Sequence, residues 1–224
     1  MTMPENITAW RKARRAELLA VREAVPLDVR RRGNEQVTRH LNDGFAALDA
    51  CVVGFCWPFR GEVDTRFFVR ELRRRGAIAA LPAVIEKKQP LQFREWWPGV
   101  KMTSGVFDLP VPDGTRVLLP DALLIPPVGF GPRGYRLGYG GGYFDRTLAA
   151  MAPQPIKIAV AFEVSRMDTI YPQPYDVPMD FIVTEVGVHR VIADELRRID
   201  SVSEVRAMLA QLMGERGLPV ARRV

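Results

Sequence analysis

The sequence predicts an α/β fold, three-layer α/β/α, with a mostly parallel sheet. Three observations carry that prediction. Six short apolar runs of strand character are interleaved with stretches of helical periodicity, the alternation that builds such sheets. The segment from Cys51 to Leu81 reads strand, helix, strand, the unit that joins parallel neighbours. A length of 224 residues with 47% hydrophobic content suffices for one well-filled core and is short for two. Residues 1–190 are expected to form the α/β domain, including a basic N-terminal helix, and residues 191–224 a helical C-terminal extension.

From Thr8 to Val25, Trp10, Ala13, Leu18, Val21 and Val25 recur at three- and four-residue spacings among charges, which predicts an amphipathic helix capped by Thr8. Pro26 ends it. A second helix follows from about Asp28 to Ala47, with Val37, Leu41 and Phe45 on its inner face. Cys51 to Trp57 is short, continuous, apolar and β-rich, as a buried strand requires. Asp64-Thr65 can cap a helix running to Arg75, and Gly76 closes it. Ala77 to Leu81 returns as a strand. Leu91 to Trp96 alternates in strand fashion, and Ala122 to Pro126 is another buried run. A helix begins near Tyr143 and ends by Pro153. Lys157 to Phe162 and Phe181 to Thr184 supply two more strands. The remaining segment, Val191 to Val224, is expected to be helical, with Ile192, Leu196 and Ile199 and then Val205, Met208, Leu209 and Leu212 on its apolar faces.

No apolar stretch approaches the roughly 20 residues of a membrane span, and residues 1–10 lack the apolar core of a signal peptide. A cytoplasmic, membrane-free protein is expected. Cys51 and Cys56 lie five apart on one strand and point to opposite faces, which argues against a disulfide. With only two histidines, zinc is disfavoured, and a metal would be a hard cation held by carboxylates and phosphate oxygens. The net charge of +6 raises the possibility of a polyanionic partner, and most of the excess lies in the N-terminal third. No nucleic-acid recognition pattern accompanies it.

The densest chemical signal is Arg136-Leu137-Gly138-Tyr139-Gly140-Gly141-Gly142-Tyr143-Phe144-Asp145-Arg146. Glycines let backbone N–H groups approach and face an anion, and the helix that follows adds its N-terminal partial charge, an arrangement suited to phosphate. A purely structural turn is the alternative. The absence of any Gly-Lys pair rules out a Walker A loop. Gly129-Phe130-Gly131-Pro132-Arg133-Gly134 matches a dinucleotide fingerprint in letters, but Pro132 and the lack of a helix at Gly131 remove its context.

The run from Arg136 to Arg146 resembles the signature of the 5-formyltetrahydrofolate cyclo-ligase family, also called 5,10-methenyltetrahydrofolate synthetase. Gly61-Glu62-Val63-Asp64-Thr65, the basic N-terminal helix and the segment Tyr175 to Glu185 extend the resemblance over residues 8 to 190. It implies ATP- and magnesium-dependent closure of 5-formyltetrahydrofolate to 5,10-methenyltetrahydrofolate, with ADP and phosphate released. By the same resemblance ATP would be held by Arg136, Leu137, Gly138, Tyr139, Gly140, Gly141 and Gly142, with Arg15 and either Arg11 or Lys12 reaching it from the first helix. Arg136 and Tyr143 would act in catalysis. Glu62, Tyr143 and Phe144 would bind the folate, and Asp145 and Asp176 the magnesium. No nucleic-acid or membrane partner is implied, and the chain would act as a monomer or homodimer. Gly105-Val106-Phe107-Asp108-Leu109-Pro110 departs from the family's Gly-Ile-x-Glu-Pro, and Trp57-Pro58-Phe59-Arg60 is an unusual lead into Glu62. A paralogous enzyme acting on another formylated or heterocyclic compound therefore stands as the alternative.

Overall fold

A computed structural model describes residues 3–219. Five α-helices occur among them: α1 (Ile7–Ala24), α2 (Leu27–Gly44), α3 (Arg66–Arg74), α4 (Tyr143–Ala150) and α5 (Val202–Glu215). The strands are β1 (Val52–Phe55), β2 (Ile78–Ala83), β3 (Gln92–Trp96), β4 (Met102–Ser104), β5 (Pro110–Pro112), β6 (Val117–Leu118), β7 (Ala122–Ile125), β8 (Gly129–Phe130), β9 (Arg136–Leu137), β10 (Ile156–Val160), β11 (Phe181–Thr184), β12 (Gly187–Ile192) and β13 (Glu195–Ile199).

Nine strands form one sheet in the order β13-β12-β11-β10-β7-β1-β2-β3-β6. Its centre, from β2 through β1, β7 and β10 to β11, is parallel, while both ends are antiparallel. Every residue of β7, β10 and β11 is buried, as parallel strands covered on both faces must be. Alternate side chains serve two cores. On one face Val53, Phe55, Ile158, Val160 and Phe181 pack with Val37 and Leu41 of α2, Phe68 and Leu72 of α3, and Leu209 of α5. On the other, Leu123, Ile125, Ala159 and Ile182 pack with Leu148 and Met151 at the end of α4 and with Phe130 and Met179. The three layers are thus present and unequal, with α4 and irregular chain covering the second face.

Two expectations need correction. The segment after Val191 is not helical throughout: β12 and β13 form a hairpin, with Ile192 paired to Glu195 and Val188 to Ile199, and only α5 is a helix. Ala193 and Asp194 both take positive φ, 51° and 63°, the geometry of the tight turn that suits the twist of two strands. Ile192, Leu196 and Ile199 fit a helical period, whereas in the hairpin Leu196 faces one core and Ile199 the other, and Ala-Asp lacks the glycine that usually marks this turn. The sheet therefore runs through position 190 without a break. Residues 220–224 of that expectation lie outside the described residues.

The second correction concerns α1. Its buried residues are Arg11, Leu19 and Arg22, while Val21, expected to face inward, is 48% exposed. The reason lies in what α1 covers. It crosses the carboxyl ends of the parallel strands, where chain leaving β1, β7 and β10 presents peptide carbonyls in place of aliphatic side chains. Arg22 donates to Pro127 O beyond β7 and to Arg60 O beyond β1, and Arg11 donates to Ile170 O and Tyr171 O beyond β10. Buried carbonyls require donors, and arginine supplies five.

The short strands β4, β5, β6, β8 and β9 were not expected from the sequence. Residues 129–134 lie in the β8–β9 hairpin, whose turn is closed by Gly131 N–H to Tyr135 O. No helix opens there, so the fingerprint match is accidental.

Candidate active site

The glycine run leaves β9 and enters α4 at the carboxyl side of the sheet. Gly140 and Gly142 take φ of +100° and +64°, conformations that side chains rarely adopt, and Gly142 is the N-cap of α4. Two arginines brace the loop from outside. Arg15 Nε donates to Gly138 O at 2.6 Å, and Arg146 Nη1 to Gly141 O at 2.7 Å. Burial, and then the neighbouring Arg11, lower the proton affinity of Arg15, so a bound anion would relieve repulsion there.

An open groove of about 410 Å³ runs between α1 and this loop, lined by Lys12, Arg15, Leu19, Glu23, Arg60 and Tyr139. Lys12 faces it beside Arg15. Arg11 is directed elsewhere: its guanidinium pairs with Asp176. Of the two competing basic residues, Lys12 is therefore the one presented to the groove.

Arg136 and Leu137 are buried. The Arg136 guanidinium donates to Val177 O at 3.0 Å and lies 3.1 Å from Asp145 Oδ1, which also accepts from Val177 N–H at 3.1 Å. Arg136 thus ties the first turn of α4 to the 176–177 segment, and its ring neighbour is Phe144, 6.0 Å away. Phe144 itself packs against the core beneath α4. Tyr143 opens α4, half-buried, with Phe107 at the tip of the β4–β5 hairpin edge-on to it at 6.2 Å. Thr147 Oγ1 caps Tyr143 O at 2.7 Å.

Glu62 lies on the far side of Tyr139 and is 7% exposed. Arg60 and Gly61 both have positive φ, 47° and 73°, which folds the chain back so that Glu62 Oε2 accepts from Phe59 N–H at 3.0 Å. Oε1 accepts from the Tyr139 hydroxyl at 2.6 Å. Burial pushes the Glu62 carboxyl up to about 7, against the hydrogen bond from Tyr139 and the charge of Arg22, which hold it down. Arg22 had no separate role in the sequence reading, yet a signal was there. Arg11, Arg15 and Arg22 stand at intervals of four and seven, which places all three within about 40° on a helix of 3.6 residues per turn.

For magnesium, the question is whether the donors fit. Among the described residues no group of three or more His, Cys, Asp and Glu gathers as a ligand cluster. Magnesium commonly takes one or two carboxylates, several waters and the phosphates of a substrate. Asp145, with its side chain 23% exposed beside the glycine loop, fits that pattern. Asp176 is more enclosed, accepting from Arg11 and from Gln173 N–H.

Fold and site together define an α/β protein in which a glycine-rich loop with two positive-φ glycines stands next to a buried carboxylate. The sequence pattern of the 5-formyltetrahydrofolate cyclo-ligase family matches residues 7–185, and the chain belongs to that family. Among its relatives, the 5-formyltetrahydrofolate cyclo-ligase of Haemophilus influenzae is 26% identical over 179 residues, 77% of this chain and 96% of the relative. That of Mycolicibacterium smegmatis is 29% identical over 178 residues, 76% and 91%. The solved 5,10-methenyltetrahydrofolate synthetase of Aquifex aeolicus superposes with a TM-score of 0.71 at 26% identity, covering 85% of this chain and 96% of that one. The Mycoplasma pneumoniae synthetase gives 0.66 at 25% identity, 78% and 98%. No helix among the described residues is long and apolar enough to cross a membrane.

Proposed function

We propose that this ligase uses magnesium and ATP to cyclise 5-formyltetrahydrofolate to 5,10-methenyltetrahydrofolate, releasing ADP and phosphate. The observation that carries the reading is the Tyr139 bridge. Tyr139 lines the groove beside Lys12 and Arg15 of α1 and turns its hydroxyl to the buried Glu62 carboxylate, so the loop that carries it can join phosphate donor and acceptor at a single element. In the reaction the formyl oxygen takes the terminal phosphoryl group, N10 then attacks the formyl carbon with loss of its proton, and phosphate leaves with that oxygen. Such chemistry asks for positioning and charge neutralisation more than for an acid–base pair.

In this reading Gly138 to Gly142 receive the phosphates through backbone N–H groups, with Lys12 and Arg15 flanking them. Glu62 accepts hydrogen bonds from pterin N–H groups, and Tyr143 lines the acceptor side. Asp145, with Asp176, would hold magnesium, which when bound neutralises charge on the transferring phosphate. Arg136 and Arg11 set the position of these two aspartates, so Arg136 serves the reaction through Asp145. Two unpaired thiols, Cys51 and Cys56, suit a reducing compartment, and we place the activity in the cytoplasm.

A second reading keeps the nucleotide half and changes the acceptor. Phe107 has positive φ, 64°, is 64% exposed and stands over Tyr143 within the segment that departs from the family pattern. A different formylated or heterocyclic compound would meet that ring. An absorbance assay for methenyltetrahydrofolate formed from 5-formyltetrahydrofolate with Mg-ATP decides between them. Turnover supports the first reading; ATP binding without turnover of this substrate supports the second.

A further inference from the structure

We infer that Arg22 is a positioning residue that acts through Tyr139 on Glu62, and that this chain of contacts couples nucleotide at the glycine loop to substrate at Glu62. The substrate half of the inference rests on the function proposed above.

Arg22 is 2% exposed, and its donors are spread over three segments remote in sequence. Nε reaches Arg60 O at 2.9 Å, Nη1 reaches Pro127 O at 3.0 Å, and Nη2 reaches the Tyr139 hydroxyl at 2.7 Å. The first contact holds the strained turn that aims Glu62. The third gives the Tyr139 oxygen a donor, which leaves its own proton directed at Glu62 Oε1, 2.6 Å away. Arg22 itself remains 3.9 Å from that oxygen, too far for a direct hydrogen bond, so its influence on the carboxylate passes through the phenol.

Tyr139 connects the two ligand sites because its parts face different ways. Its ring lines the groove with Lys12 and Arg15 and lies 6.2 Å from the Phe59 ring, while its hydroxyl is enclosed between Arg22 and Glu62. Gly138 and Gly140 flank it, so the backbone that would receive phosphate also carries the phenol. A loop conformation fixed by nucleotide fixes the hydroxyl at Glu62, and a substrate held by Glu62 fixes the loop. Coupling of this kind is reciprocal by thermodynamic necessity. The charged and titratable groups facing Glu62 are Arg22 from α1, Tyr139 from the loop and Cys56 at the end of β1, whose thiol is itself pushed up by burial and then by Glu62.

The test uses the full chain, its Tyr139→Phe variant and its Arg22→Lys variant, which keeps the charge and loses the multiple reach. Carbon-13 NMR of labelled glutamate carboxyls, with Glu62 assigned by Glu62→Gln, reads the titration of Glu62 without any ligand. The midpoint is expected to rise in both variants, because each removes support for the ionised form. Midpoints that stay at the parental value, even with a lowered melting temperature, would assign Arg22 and Tyr139 to structure alone and overturn the relay. Calorimetry then measures the affinity of a non-hydrolysable ATP analogue with and without 5-formyltetrahydrofolate. The parent should show a coupling within the usual range of about 5- to 150-fold, largely lost in Tyr139→Phe. Equal coupling in parent and variant overturns the inference. Absence of 5-formyltetrahydrofolate binding to the parent counts against the substrate assignment instead, and the NMR titration still decides the relay.

Discussion

Replacing Gly140 by alanine tests whether the glycine run is an anion seat or only a turn. Gly140 is exposed, at φ +100°, and an added Cβ would lie 3.3 Å from Arg15 Cζ. A side-chain-bearing residue held in such a region costs about 1–3 kcal/mol. In the free protein the exposed loop escapes that cost by relaxing toward negative φ, so fold stability changes little. Ligand binding must restore the seat and meets the whole cost. At about 1.4 kcal/mol per factor of ten, ATP affinity should fall about 5- to 150-fold, with Arg15 displaced from Gly138 O as well. Calorimetric titration with Mg-ATP, beside a thermal melt, measures both quantities. Gly99→Ala is the control, since Gly99 also has positive φ, +87°, with nothing within 4 Å of its added Cβ. It should leave ATP binding unchanged. A folded Gly140→Ala protein that binds ATP like the parent would refute the reasoning.

Four further outcomes are expected. Glu62→Gln should impair use of the folate by about 1.5–3 kcal/mol, the worth of a hydrogen bond to a charged group, while ATP affinity stays nearly constant; equal losses for both ligands would mean general damage. Activity should fall as pH drops through about 7, where Glu62 becomes protonated. The same raised value makes its contribution to stability complete below the unfolded carboxyl pKa and lost as pH rises through about 7, so melting temperature and activity should move in opposite directions over that window. Asp145→Asn should raise the magnesium concentration needed for half-maximal activity, because an amide oxygen brings no charge; unchanged magnesium dependence would leave Asp145 as the partner of Arg136 and Val177 only. Random-sequence RNA should bind weakly and lose affinity steeply with salt, as a filter-binding series would show; a complex that stays tight and selective at physiological salt would point to a nucleic-acid function.

The parallel core was legible because its central strands are buried on both faces, and continuous apolar runs such as Ala122–Ile125 and residues 181–183 have few other uses. The C-terminal hairpin was not, since Ile192, Leu196 and Ile199 keep helical spacings of four and three and the turn between them carries no glycine. On α1 the apolar periodicity pointed to the wrong face. A helix laid over strand ends meets carbonyls, and hydrophobic counting is blind to a face whose partners are peptide oxygens. At the site, the glycine run announced itself through composition. Glu62 was found only by resemblance, because nothing local distinguishes a loop glutamate that turns inward. The shared helix face of Arg11, Arg15 and Arg22 could have singled out Arg22, but its partners lie up to 117 positions away and only the contacts identify them.

The antiparallel ends of the sheet bear on how the protein survives at high concentration. At one end β6 offers only two residues for pairing. At the other, β13 carries Glu195, Arg197 and Arg198, all exposed, with ion pairs along the strand. Short or charged edges discourage strand addition from neighbouring molecules. Without the β12–β13 hairpin the terminal strand would be β11, Phe-Ile-Val-Thr, apolar apart from its last residue and open along one side. The β12–β13 hairpin thus covers an edge that would otherwise invite strand addition from neighbouring molecules, a consequence independent of folate chemistry.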